Sequence, residues 1–218
     1  MKDAVFPSLV FHEMGYESAH FGQGQWNGVA ILSKVGLDNV INNFAVGEPD
    51  GEARIISAEC GGITVVCVYV PNGRELEHDH YQYKLRWMKQ LKQHVAKIAK
   101  PAGDVIVTGD FNIAPEDIDV WDPEALVGST HVSAPEREVL SDLCAWGLTD
   151  IYRGQHPEPK LFSWWDYRDG GFHKNHGMRI DLLLVSESVA KRTKMTVVDR
   201  NARKGEKPSD HAPVVMEL

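Results

Sequence analysis

Apolar positions along this chain fall into short runs and one long stripe, and the two spacings separate strands from helices. Residues 28–33, 53–60 and 63–70 read as strands rich in β-branched and apolar types. Gly61-Gly62 between the last two is a hairpin signature. Tyr81, Leu85, Met88, Leu91, Val95 and Ile98 recur at three and four residues, predicting an amphipathic helix that Pro101 ends. Residues 105–108 form a short apolar run that reads as a buried strand. Residues 115–130 are acidic and irregular. Ser133-Ala134-Pro135-Glu136 then opens a second helix, with Val139, Leu143 and Trp146 facing inward and Gly147 ending it. Residues 178–185 are an apolar strand interrupted by one carboxylate, Asp181, which is costly unless paired. A turn at 207–213 leads into a closing strand. Strands and helices alternate irregularly, with hairpins among them, which predicts two mixed sheets covered by helices rather than one parallel sheet.

Composition narrows the class. The 218 residues suffice for one domain with a sizeable core, and 43% hydrophobic with 25% charged residues is ordinary for a globular chain. A formal charge of -8 argues against a general electrostatic grip on nucleic acid, although residues 191–207 hold seven Lys or Arg against Asp199 and Glu206. Cys60, Cys67 and Cys144 are odd in number and contain no CxxC pair, so neither a disulfide framework nor a zinc site is expected. A reducing, cytoplasmic setting fits. No apolar run approaches the roughly 18 residues of a membrane span, and no signal peptide opens the chain.

Candidate chemistry gathers at three turns. Asp110 and Asn112 follow the buried strand, two apart and on the same side; Asp181 enters another strand; Asp210 and His211 precede the last. Carboxylates and a carboxamide without Cys suit Mg²⁺ or Mn²⁺. A histidine, a nearby carboxylate and a hard metal are the parts for water attack on a phosphodiester. No Ser or Cys elbow and no glycine-rich phosphate loop is present. His78-Asp79-His80 resembles a metal cluster but precedes a helix and reads as solvated loop, with Asp79 available as a cap.

Gly109-Asp110-Phe111-Asn112, Arg179-Ile180-Asp181-Leu182-Leu183 and Ser209-Asp210-His211-Ala212-Pro213 resemble, in order, the signatures of the exonuclease III family of apurinic/apyrimidinic endonucleases. Tyr69-Val70-Pro71-Asn72-Gly73 resembles that family's tyrosine motif, and Phe162 to Arg168 its aromatic one. The resemblance implies a DNase I-like four-layered α/β sandwich, two mixed sheets flanked by helices, over residues 1–218 as one domain. It implies a metal-dependent phosphodiesterase, with Mg²⁺ or Mn²⁺, that acts as a monomer on double-stranded DNA at abasic sites and 3′ ends. Position by position, Tyr69, Asp110, Asn112, Asp181 and His211 would be catalytic, and Asp181 would orient His211. His211 would serve as base or as phosphate-binding cation. Asp110, Asn112 and Asp210 would hold the metal. Asn72, Trp164, Met178, Arg179 and Ile180 would contact substrate, with Trp164, Met178 and Ile180 lining a slot for a baseless sugar away from the metal. The family's opening strand–helix–strand unit, whose Glu is its principal metal ligand, has no counterpart before Met1. That departure implies an N-terminally truncated domain and leaves two rival readings: an inactive DNA- or partner-binding fragment, and a phosphoesterase of the same superfamily with another substrate.

Overall fold

A computed structural model describes residues 1–24, 26–158 and 160–218. A short helix α1 (Ser8–Glu13) leads into the antiparallel pair β1 (Glu17–Gly22) and β2 (Gly28–Ser33). Then come β3 (Asp38–Asn42), β4 (Ile55–Cys60), β5 (Ile63–Tyr69), α2 (Asp79–Ile98) and β6 (Val105–Asp110). They are followed by α3 (Ala134–Cys144), β7 (Leu148–Asp150), α4 (Ile151–Gln155) and β8 (Trp164–Trp165). Next are α5 (Gly171–Lys174), β9 (Gly177–Met178), β10 (Asp181–Ser186), α6 (Glu187–Ala190), β11 (Met195–Val198) and β12 (Val214–Glu217).

One six-stranded sheet, ordered β3-β4-β5-β6-β10-β7, forms the frame. Only β5 and β6 run parallel, because α2 carries the chain back between them; the other neighbours are antiparallel. The face toward α2 and α3 is a dry core of Ile55, Val66, Val68, Met88, Leu91, Val107 and Leu184, among others. On the opposite face β1–β2 press Ala19, Val29 and Ile31 against Ile56 and Ala58. Beside them, Val214 and Met216 of β12 pack against Ile106 and Leu183. The result is the mixed sheet flanked by helices that the resemblance implied, a DNase I-like α/β fold. Among the described residues the second layer consists of the separate pairs β1–β2 and β11–β12 rather than a continuous mixed sheet.

Several expectations shift in detail. The buried face of α2 is turned from the expected stripe: Lys84, Trp87 and His94 are buried, while Leu85 and Ile98 are half-buried. His78 caps α2, its Nδ1 accepting from His80 N, and Asp79 is the first helical residue. The expected strand over 178–185 is two strands, so Asp181 opens β10 instead of interrupting it. The irregular 115–130 stretch contains a 3₁₀ turn at Asp117–Asp119, and Asp119 is fully buried. No helix among the described residues is long and apolar enough to cross a membrane.

Candidate active site

Strand register assembles the site. Tyr69 of β5 and Asp181 of β10 both pair with Asp110 of β6, so the three side chains lie abreast on one face of three adjacent strands. That face is the one toward the small pairs, opposite the α2 core. Gly109 makes the approach possible: its φ is +134, and a Cβ there would lie 2.0 Å from the Val68 carbonyl.

Past Asp110 the chain turns at once. Asn112 adopts a left-handed φ of 50 and folds back on the carboxylate. Its backbone N–H donates to Asp110 Oδ1 at 2.8 Å and its Nδ2 to Oδ2 at 3.1 Å. Nδ2 also donates to the Val70 carbonyl, while Oδ1 accepts from Asn72 Nδ2 at 3.1 Å. Across the sheet end, His211 Nδ1 lies 2.8 Å from Asp181 Oδ2. The buried Ser163 Oγ accepts from the N–H groups of both Ile180 and Asp181. The Ser163 carbonyl accepts from Ala212 N, and Trp164 bridges to His211, so one strand aligns both partners.

The charges in this cluster move one another. Burial and the Asp181 charge push Asp110 up from 3.8 to about 7, against the pull of His211, Asn112 and Lys84. Burial works to lower His211, but its hydrogen bond and charge contact with Asp181, with Asp110 and Asp210 beyond, raise it to about 9. At neutral pH the site therefore holds an imidazolium beside a carboxyl group poised to take or give a proton. A cleft of about 440 Å³ opens over Thr108, Gly109, Asp181, Ser209 and His211.

The remaining expected residues divide. Trp164 and Met178 border a second cleft of about 400 Å³, together with Trp121, Leu126, Asp166, Arg168 and His176. Trp164 is not remote from the acidic cluster, as a purely sugar-facing residue would be. Its indole Nε1 donates to Asp210 Oδ2 at 3.1 Å. Ile180 lies in the core with Ala114 and Val120, 2% exposed, and does not reach the cleft. Arg179 is also a correction: it is 1% exposed and makes a bidentate pair with the buried Asp119, at 2.7 and 3.0 Å, plus a 2.8 Å bridge to Asp150. With Arg153 also paired to Asp119, Arg179 fastens the 117–120 turn to β9 instead of facing substrate.

The Asn112 amide oxygen accepts one hydrogen bond, from Asn72, which leaves its second lone pair for a metal. Among the described residues no group of three or more His, Cys, Asp or Glu side chains is arranged to hold a metal ion. The donor set instead fits an open site. Mg²⁺ characteristically takes one or two carboxylates and completes its shell with water and phosphate, and Asp110 and Asp210 are carboxylates flanking His211. Sequence reasoning missed Ser163, Trp121 and His176. Ser163 carried no signal beyond its place in the aromatic motif, and the 3.9 Å stacking of Trp121 on His176 joins residues 55 apart in the chain.

The model of the endonuclease/exonuclease/phosphatase family matches residues 3–211. The exodeoxyribonuclease III of Haemophilus influenzae is 33% identical over 228 residues, spanning 99% of this chain and 85% of its own. Among solved structures, an AP endonuclease from Archaeoglobus fulgidus superposes with a TM-score of 0.96 at 33% identity, over 100% of this chain and 85% of that one. A 3′ phosphatase from Neisseria, bound to a product DNA hairpin, superposes at 0.97 with 37% identity and the same coverage.

Proposed function

The chain belongs to the endonuclease/exonuclease/phosphatase family, a family of metal-dependent phosphodiesterases, and from that premise we propose that it is a DNA-repair nuclease. It incises duplex DNA 5′ to abasic sites and trims 3′ ends, acting as a monomer and as one domain over residues 1–218. The observation that carries this reading is the Asp181–His211 pair set beside Asp110 at one sheet end. Relatives named as an exodeoxyribonuclease III and an AP endonuclease, and one bound to a DNA hairpin, supply the substrate class.

Each residue has a proton or charge to manage. Asp110, raised to about 7, takes the proton of the attacking water, and Asn112 fixes both oxygens of that carboxyl group. His211 is a cation at neutral pH; with Nδ1 held by Asp181, its Nε2–H is free to donate to a phosphoryl oxygen and to stabilise the charge that develops there. Tyr69 lies beside Asp110 in register and contacts the phosphate near the leaving oxygen. The P–O3′ bond breaks as the water oxygen bonds to phosphorus, and the departing O3′ takes a proton from solvent to become a 3′-hydroxyl. Asp110 and Asp210 would hold a divalent cation, Mg²⁺ or Mn²⁺, which when bound would supply neutralisation of phosphoryl charge. The Trp164–Met178 cleft, walled by aromatic and apolar side chains, accepts a sugar without its base.

The test is a nicking assay on a duplex carrying one stable abasic analogue, with a 3′-phosphate duplex alongside, in Mg²⁺, Mn²⁺ or EDTA. Metal-dependent cleavage of either, abolished by Asp110→Asn and His211→Gln, is the expected result. Binding of both duplexes without cleavage in either metal would assign the chain to the inactive-fragment reading. Hydrolysis of other phosphoesters with no cleavage of DNA would place its substrate elsewhere in the superfamily.

A further inference from the structure

Behind the Asn72–Asn112 pair lies a second polar cluster that the reaction above does not use. Lys84 and Glu136 are both fully enclosed, with side chains 0% exposed, and their ammonium and carboxylate meet at 2.5 Å. An ion pair so deep costs desolvation energy, and apolar replacements of equal volume are commonly as stable, so its presence asks for another reason. The remaining bonds of the pair supply one. Lys84 Nζ also donates to the backbone carbonyls of Asn112, at 2.6 Å, and Asn72, at 3.1 Å. Glu136 accepts from Thr130 Oγ1 and from the His131 and Ser133 backbone N–H groups. His131 closes the circle: Nδ1 lies 2.5 Å from the Asn112 carbonyl, and Nε2 is 3.4 Å from Asn72 Nδ2. Those contacts fix its tautomer, with Nδ1–H donating and Nε2 accepting. Gly73 lets the loop descend onto the cluster; its φ is +93, and a Cβ there would sit 2.6 Å from Thr130 Oγ1.

We propose that the buried Lys84–Glu136 pair, with Thr130 and His131, positions Asn72 and Asn112 and through them the Asp110 carboxyl group. Two donors hold the Asn112 carbonyl, so the peptide is pinned in its left-handed conformation, and from it the backbone N–H and Nδ2 grip both Asp110 oxygens. Three segments remote in sequence, on α2, on the 70–73 loop and on the entry to α3, are thereby fastened to the end of β6. Lys84 and Glu136 touch no reacting atom; they are positioning residues. This role rests on the proposed nuclease reading for its kinetic consequence, but not for its geometry.

The informative variant is the double substitution Lys84→Met with Glu136→Gln, compared with Lys84→Met alone. The single change strands a buried carboxylate and lowers the thermal midpoint; the double change removes both charges and restores much of it. Positioning predicts that turnover does not recover with stability. In the folded double variant kcat should stay about 10- to 100-fold down while KM for the abasic duplex moves less than about threefold. Recovery of kcat to within about twofold of the unaltered protein would overturn the proposal, since a merely stabilising pair loses nothing once the fold is restored. Thr130→Val is isosteric and gives a second reading should the double variant not fold: a kcat loss of about threefold or more at constant KM supports the tether, and unchanged kcat refutes it. Were the unaltered protein to cleave no DNA, the nuclease reading would fail, and the side-chain amide protons of the buried Asn112 would still decide this one. Slow exchange of those protons in the unaltered protein, lost in Thr130→Val, supports the tether; equal exchange in both sinks it.

Discussion

Replacing Asp181 by Asn tests the charge arrangement of the site most directly. His211 is held at about 9 against an ordinary 6.5, a difference worth about 3 kcal/mol in favour of the imidazolium. The ring is about 30% exposed, so solvent screens part of that, leaving about 2 kcal/mol to attribute to Asp181. Asp110 and Asp210 remain in the variant and keep some of the elevation, while burial, now less opposed, pulls down. The His211 midpoint should therefore fall by about 1.5 pH units, to about 7.5. At pH 8 the protonated fraction would drop from about nine-tenths to about one quarter. The midpoint is read from the imidazole Cε1–H resonance in metal-free protein, assigned by its disappearance in His211→Gln. If His211 acts as a cation, the alkaline limb of kcat/KM moves down by the same interval, and kcat itself falls on the order of 10²- to 10⁴-fold because the ring loses its orienting partner. A folded Asp181→Asn protein whose midpoint stays above 8.5, or whose alkaline limb does not follow the midpoint, would refute this account of the pair.

Other outcomes follow from the same contacts. In Mg²⁺, activity should climb with pH along an acid limb lying below the metal-free Asp110 midpoint of about 7, because a bound cation favours the carboxylate, and decline above about 9, when His211 loses its proton; undiminished activity up to pH 10 contradicts the His211 assignment. Stability in EDTA should move the other way. The folded state raises both groups, so His211 contributes fully below 6.5 and is lost through 9, while ionising Asp110 between 3.8 and 7 costs more folded than unfolded; urea midpoints that increase across pH 5 to 9 would oppose this. Trp164→Phe keeps an aromatic wall but drops the bond to Asp210, so half-activating Mg²⁺ should rise about tenfold; an unchanged Mg²⁺ requirement would show that the bond is idle. Arg179→Met leaves Asp119 buried with Arg153 as its remaining charged partner and should cost about 3–5 kcal/mol in chemical denaturation, whereas a loss below 1 kcal/mol would return Arg179 to the substrate-contacting role that the resemblance implied.

What the sequence determined by itself is what depends on local period and composition. Residues 28–33 and 63–69 form strands because short runs rich in β-branched and apolar residues pack well on a sheet, and Gly61-Gly62 turns the chain from β4 into β5 because both residues take positive φ. Gly109-Asp110-Phe111-Asn112 announced a functional turn, and its order with Asp181 and His211 matched a family's motifs. Tertiary structure decided what depends on who sits opposite whom. Arg179 reads as substrate-facing from its place in a motif, yet Asp119, sixty residues earlier, claims it inside the fold. Lys84 looks like a solvated helix residue until α2 turns it inward to meet Glu136, which the sequence marks only as half of a capping box. Trp164 and Asp210 are 46 positions apart and share a hydrogen bond. Propensity and periodicity act over a few residues and are written along the chain. Pairing a buried charge needs a partner delivered by another element, and only the packed sheet, with Tyr69, Asp110 and Asp181 abreast in register, says which one arrives.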